Sequence, residues 1–205
     1  MNIDEIKTAV LAYSDREDED VKKSLNTFLA VTEARLNKIL RVRQQFNRAA
    51  MLVSIDQEYY GLPDDFAELR DIEVKTHVSS TDRFTPRYLS PEQMNDHITA
   101  QSSIPSYTII ADMLQLYPTS DEWVVEVVYA SKVPALTDKT PTNWLSISSP
   151  SSYIFGMMVE LSAYIKDGEA ASLWDTRFKE DIAQIVHQDD IGRWSGTSLQ
   201  IRTQQ

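Results

Sequence analysis

The side chains able to do covalent or acid–base work in this chain are scattered rather than grouped. Its three histidines, His77, His97 and His187, have no histidine or cysteine at ligand spacing, so none belongs to the paired set a metal needs. Cysteine is absent, which removes the thiolate nucleophile, the cysteine zinc site and the disulfide framework together. Carboxylates are plentiful, and among Asp64, Asp65, Glu68, Glu160, Asp167 and Glu169 two could converge as an acid–base pair. An acid-rich chain offers such pairs by chance, however, and local pattern gives most of these a structural use. Asp64 and Asp65 suit a turn or the cap of a short helix at Phe66. Glu160 sits inside an apolar helical pattern and reads as the partner of a basic side chain. No Gly-x-Ser-x-Gly, Gly-x-x-x-x-Gly-Lys or Gly-x-Gly-x-x-Gly occurs, and five glycines leave little material for phosphate-cradling loops. The chain is therefore expected not to be an enzyme, with no catalytic residues, no cofactor and no metal.

Binding chemistry is better represented. The formal net charge of −11 argues against a free protein that coats nucleic acid. Yet between Ala34 and Ile55 there is no acidic residue, while Arg35, Lys38, Arg41, Arg43 and Arg48 all fall there. The last fifteen residues, Ile191 to Gln205, also lack acids and combine Arg193 and Arg202 with Trp194, Leu199 and Ile201. Arg35, Arg41, Arg43, Arg193, Trp194, Leu199, Ile201 and Arg202 are thus the candidate partner-binding residues. Basic residues near a helix C-terminus also favour its dipole, which accounts for part of the first group.

The elements that would position these groups follow from periodicity. Helices are expected over Ile3 to Tyr13 and over Val21 to Leu40, the second carrying Val21, Leu25, Phe28, Leu29, Thr32, Leu36, Ile39 and Leu40 at helical spacing. Strand patterns follow: Met51, Val53 and Ile55 alternate, a turn falls at Tyr60 to Asp65, and Leu69 to Lys75 is extended. Ser90-Pro91-Glu92-Gln93 combines an N-cap, a first-turn proline and a capping-box glutamine, so a short helix begins there. Tyr107 to Tyr117 and Trp123 to Tyr129, separated by Pro-Thr-Ser-Asp, read as the arms of a hairpin. From Ser149-Pro150 an apolar stripe of Ile154, Met157, Leu161, Tyr164 and Ile165 runs to Gly168, and Leu173, Trp174, Phe178, Ile182, Ile185 and Val186 form a second. Two stripes joined by a short polar turn pack as an antiparallel helical hairpin.

The expected architecture is α+β: an antiparallel helical bundle with an inserted small antiparallel β region and an extended C-terminal arm. Residues 1–190 make one domain, with helices within 3–40 and 143–188 and the β region at about 48–131, and 191–205 form a flexible arm that orders on a partner. No apolar run approaches the roughly 20 residues that cross a bilayer, and Met-Asn-Ile-Asp-Glu-Ile lacks the basic start and apolar core of a signal peptide.

With these residues in view, the chain resembles the head-to-tail adaptor (connector) proteins of tailed bacteriophages. The matching pieces are Glu33-Ala34-Arg35-Leu36-Asn37 with Leu40-Arg41-Val42-Arg43, then Tyr60-Gly61-Leu62-Pro63-Asp64-Asp65-Phe66 with Glu68-Leu69-Arg70. Tyr129 ahead of Val133-Pro134-Ala135-Leu136, and the hairpin from Trp144 to Phe178, complete them. The resemblance covers most of Val21 to Ile185, and the order of the motifs carries it. It implies a structural virion protein, made in the host cytoplasm and located at the head–tail junction. Such adaptors form a dodecameric ring on the portal protein, extend the DNA channel and offer an attachment site to the tail (nozzle or tube) protein. Encapsidated DNA passes through without sequence-specific binding, no membrane is involved, and a C-terminal arm commonly enters the portal. An acidic lumen would repel phosphate and let DNA slide. A tail-completion or stopper protein of the same vertex is the nearest alternative. A DNA-binding packaging regulator using the basic helix end and a hydrolase using buried carboxylates such as Glu160 are the distant ones.

Overall fold

The computed structural model describes residues 1–16 and 18–194, the last two by backbone alone. The chain divides into two units: Met1–Gln44 together with the residues from Val133 onward, and Gln45–Lys132.

The first unit is helical. Its α1 (Ile3–Ser14) starts at Asn2, whose side chain accepts the Glu5 N–H at 2.8 Å while the Glu5 carboxylate accepts the Asn2 N–H at 2.9 Å. This reciprocal cap satisfies two amides that the first turn leaves without intrahelical partners. In α2 (Glu19–Ile39), Val21, Leu25, Phe28, Leu29, Thr32 and Leu36 are buried along one stripe, and Glu19 and Asp20 complement the positive start of the helix. The unit resumes after the second one with α4 (Trp144–Ser148), capped by Asn143, and α5 (Pro150–Tyr164). Pro150 opens α5 as the sequence suggests, but the Ser149 side chain makes no capping bond. Instead the Ser151 and Ser152 hydroxyls donate to Asp181 at 2.7 and 2.5 Å. In α6 (Gly168–Trp194), Asp167 accepts the Ala170 N–H at 3.0 Å. Ser151 and Ser152 meet Asp181 while Phe155 meets Trp174, so α5 and α6 run antiparallel. Ile6, Leu36, Leu145, Tyr153, Met157 and Phe178 lie fully buried in the shared core.

The second unit holds β1 (Phe46–Leu52), β2 (Tyr59–Gly61), β3 (Phe66–Lys75), β4 (Arg83–Phe84), β5 (Arg87–Tyr88), α3 (Pro91–Thr99), β6 (Ser106–Ile110), β7 (Met113–Tyr117) and β8 (Val124–Ser131). One sheet has the order β1-β8-β3-β4 and is antiparallel throughout; the other has the order β2-β7-β6-β5 and is mixed, because β5 and β6 are parallel. The two sheets share a core of Tyr60, Ile72, Val74, Leu114, Leu116, Val125 and Val127. The ends of the unit are tied to each other: the Gln45 side-chain amide donates to the Ser131 carbonyl at 3.0 Å, and the Ser131 hydroxyl donates to the Gln45 carbonyl at 2.9 Å.

The expected architecture is corrected by these sheets. The α+β class holds, but the chain is not an antiparallel helical bundle bearing a small antiparallel β insert: it has two four-stranded sheets with a core of their own. The reason lies in three places. Tyr107 to Tyr117 folds on itself as the β6–β7 hairpin, turning at Ala111 with φ 53° and without the glycine such a turn favours. Trp123 to Tyr129 is therefore not its hairpin partner; β8 lies between β1 and β3 in the other sheet. And β1 starts at Phe46, inside the basic stretch, so the alternation of Met51, Val53 and Ile55 marks the end of a strand instead of its middle.

Candidate partner-binding site

Glu33 and Asn37 are four residues apart on α2 and so share one side of the helix, with Arg35 turned away from them. That spacing lets the helix grip the extended segment after residue 132. Asn37 Oδ1 accepts the Val133 N–H and Glu33 Oε1 accepts the Leu136 N–H, both at 2.7 Å. From the other side Asn143 Nδ2 donates to the Pro134 carbonyl at 2.6 Å and to the Tyr153 hydroxyl at 2.7 Å, while its Oδ1 caps α4 through the Ser146 N–H. Burial pushes the Glu33 carboxyl up from its ordinary value, partly offset by the Leu136 amide. Burial also pushes the Tyr153 hydroxyl up, against the opposing bond from Asn143. A carboxylate, an amide and a phenol thus stand together, but their bonds go to the chain's own backbone and to one another. An open cleft of about 310 Å³ beside them is lined by Lys7, Asn26, Glu33, Leu136 and Asp138.

Of the sequence-predicted basic residues, Arg35 and Arg43 lie at the seam with α6 in the same unit. Arg35 pairs with Asp175 of α6, and its guanidinium lies 4.5 Å from the centre of the Phe178 ring. Lys179 reaches the same carboxylate at 2.6 Å, and these bonds, that of Lys179 first, hold Asp175 below the usual carboxylate range. Arg41 donates through Nη1 to the Asn37 and Leu40 carbonyls at 2.8 and 2.6 Å, capping the end of α2. Arg43 donates through Nε to Asp189 at 2.8 Å. An open cleft of about 390 Å³ lies here, lined by Arg43, Ser148, Ser149, Ile185, Gln188 and Asp189. The structure therefore places Arg35 and Arg43 at one seam, turns Arg41 back on the end of its own helix, and gives each an intramolecular partner. Arg193 and Trp194 are the last described residues of α6, with side chains outside the described residues, and Leu199, Ile201 and Arg202 fall wholly outside them. Asp175 and Asp189, which fix the seam from α6, gave no signal in the sequence beyond helical spacing from the apolar stripe.

In the second unit the motif at Tyr60 to Phe66 closes on Tyr129. Its hydroxyl donates to Asp65 at 2.8 Å, and its ring stacks with Phe66 at 5.6 Å between centres. The Asp65 carbonyl accepts the Lys132 N–H at 2.7 Å. Asp65 thus shapes a turn and holds the end of β8, and Phe66 opens a strand. The three histidines stay apart, and no group of residues able to hold a metal ion occurs among the described residues. Glu160 is half-buried and has no ion-pair partner among the described residues.

The motifs of the resemblance are the gripping points just described: Glu33 and Asn37 with 133–136, and Asp65 and Phe66 with Tyr129. A family model described as SU10 adaptor protein matches residues 1–202. The chain belongs to the SU10 adaptor protein family. The resemblance to head-to-tail adaptors of tailed phages is borne out over almost the entire chain. No curated protein matches it. In this adaptor the matched motifs build the scaffold, and several large apolar side chains stand exposed. Leu52 is 70% exposed and Ile147 67%, with Tyr13, Val78, Tyr88 and Ile191 also more than half exposed. No helix among the described residues is long and apolar enough to cross a membrane.

Proposed function

We propose that this adaptor is a structural virion protein of the phage head–tail junction. Copies of it form a ring on the portal protein, extend the DNA channel and present the attachment site for the tail. The observation that carries this reading is the family match over residues 1–202. One feature supports it. The polar residues of the motifs are spent on the chain's own backbone and side chains, which is the chemistry of a rigid support. A closed ring uses two different faces of each subunit, one for each neighbour. In the same reading the C-terminal arm, with Arg193, Trp194, Leu199, Ile201 and Arg202, anchors the ring to the portal, aromatic side chains being frequent anchors in interfaces.

Mixing the purified adaptor with the portal ring of the same phage and imaging the mixture tests the proposal. A second ring stacked coaxially on the portal is expected; portal rings that stay bare at saturating adaptor would overturn it. Deleting 191–205 should leave a folded protein that no longer binds the portal.

A further inference from the structure

We infer that β1 pairs antiparallel with the β1 of a second copy, joining two β1-β8-β3-β4 sheets across a two-fold axis at Ala49. β1 stands at the end of its sheet, with β8 as its strand neighbour. The Val53 N–H donates to the Trp123 carbonyl at 2.8 Å, continuing the register of β1 on β8, and this bond fixes the alternation along the strand. Asn47, Ala49 and Met51 turn their backbone groups to β8, while Phe46, Arg48, Ala50 and Leu52 turn theirs to the open edge. Native sheets guard such an edge by keeping it short, bulged or charged, or by placing proline in it. β2, β4 and β5 have three residues or fewer. β3 is paired with β4 only at Val74 and Lys75, and its remaining edge shifts register twice and carries Glu68, Arg70, Asp71 and Glu73. β1 has seven residues in unbroken register, no proline and a single charge, so its edge is the unguarded one.

The occupant that fits this edge is the same strand reversed. Centred on Ala49, the pairing sets Phe46 beside Leu52 of the second copy and Arg48 beside Ala50 of the second copy. These are the residues whose backbone groups face outward on both strands, so each such pair exchanges two bonds. Leu52, 70% exposed, gains an aromatic neighbour. Moving the axis to Arg48 would set like charges directly opposite each other, and moving it to Ala50 would leave Phe46 outside the pairing. The charges agree with the axis at Ala49. Glu126 already holds Lys75 and Arg83, whereas Arg48 stands 3.7 Å from it with its side chain 62% exposed. Ala50 lies directly opposite Glu126 in the β1–β8 register, and its small side chain leaves Arg48 of the second copy a path to that carboxylate. A two-fold contact closes on itself, so it describes the free adaptor and leaves a ring to other faces.

One strand pair is smaller than a standard interface, so a dissociation constant of about 10–100 µM is expected, read by sedimentation velocity of the full chain from about 1 to 300 µM. Ala50→Lys sets a second cation against Arg48 of the second copy and should weaken the dimer at least about tenfold; adding Arg48→Glu should restore it to within about threefold. The chain has no cysteine, so a single introduced thiol reads the register directly. Across the axis the two Ala49 Cα atoms would lie about 4.5 Å apart, within disulfide reach. Oxidised Ala49→Cys should run as a covalent dimer, Asn47→Cys, which faces Met51 of the second copy, should not, and Ala49→Cys combined with Ala50→Lys should lose the cross-link. Ala50 is exposed, so Ala50→Lys should keep the thermal midpoint within about 3 °C; if it falls further, the two cysteine variants decide alone. A monomer at every concentration, a dimer untouched by Ala50→Lys in a folded chain, or cross-linking as ready through Asn47→Cys as through Ala49→Cys would each overturn the pairing.

Discussion

Replacing Tyr129 by phenylalanine keeps the ring stacked on Phe66 and removes only the hydroxyl that Asp65 accepts. Tyr129→Phe should lower stability by about 1 kcal/mol, seen as a lower urea midpoint with an unchanged slope. Glu33 behaves differently, because burial raises its carboxyl above the ordinary value. Between the ordinary and the raised value the folded chain holds a proton that the unfolded chain has lost, so stability falls as pH rises through that window. Glu33→Gln retains an oxygen for the Leu136 amide and carries no charge, so it should stabilise at neutral pH and remove that part of the pH dependence. Asp175 and Glu126 have the opposite sign: Lys179 and then Arg35 lower the first, and Lys75 above all lowers the second. Their contribution is present above the ordinary carboxylate range and is lost as pH falls through their lowered values. Thermal midpoints measured from neutral to acid pH for wild type, Glu33→Gln and Asp175→Asn separate the two signs. At this scale the sequence marked Arg35, Arg41 and Arg43 through their clustering, but their partners Asp175 and Asp189 come from more than a hundred residues away, where no local pattern points back.

Gly156 of α5 sets how closely three helices pack. A Cβ there would collide with the Thr32 methyl of α2 and lie 3.2 Å from the Phe178 ring of α6. Thr32 is itself held by its bond to the Phe28 carbonyl at 2.8 Å, so it yields poorly. Gly156→Ala should destabilise by about 1–3 kcal/mol, measured as a lower thermal midpoint, despite the better helix propensity of alanine. The helical elements were readable because capping chemistry is local. Pro150, the Ser90–Gln93 box and the stripe of α2 needed no knowledge of the rest. The limits of the stripes were not: Tyr164 and Leu173, placed inside by spacing alone, are half exposed, Tyr164 meeting Phe28 only edge-on and Trp174 rather than Leu173 packing on Tyr13 and Phe155. The sheets were less readable still. β1 reads Phe-Asn-Arg-Ala-Ala-Met-Leu, with little β-branched character, and owes its strand state to seven paired positions on β8. Strands of two residues, as at β4 and β5, leave no periodicity to detect.

For the whole molecule the net charge of −11 decides between the proposed ring and a DNA-binding regulator. The free adaptor should leave duplex DNA unshifted in a gel at about 0.15 M salt, since cations already paired within the chain release few counterions. Salt-sensitive retardation of the duplex would favour the regulator instead. The division into one unit made of two chain pieces and another made of a single piece has a temporal side. On the ribosome α1 and α2 emerge well before α5 and α6, and at about 5–20 residues per second the interval lasts several seconds. Throughout it the apolar stripe of α2 has no mate and stands open to chaperones, while the module from Gln45 to Lys132 can already close upon itself, its two ends buttoned by Gln45 and Ser131. The later helices α5 and α6 thus complete the core that α1 and α2 begin.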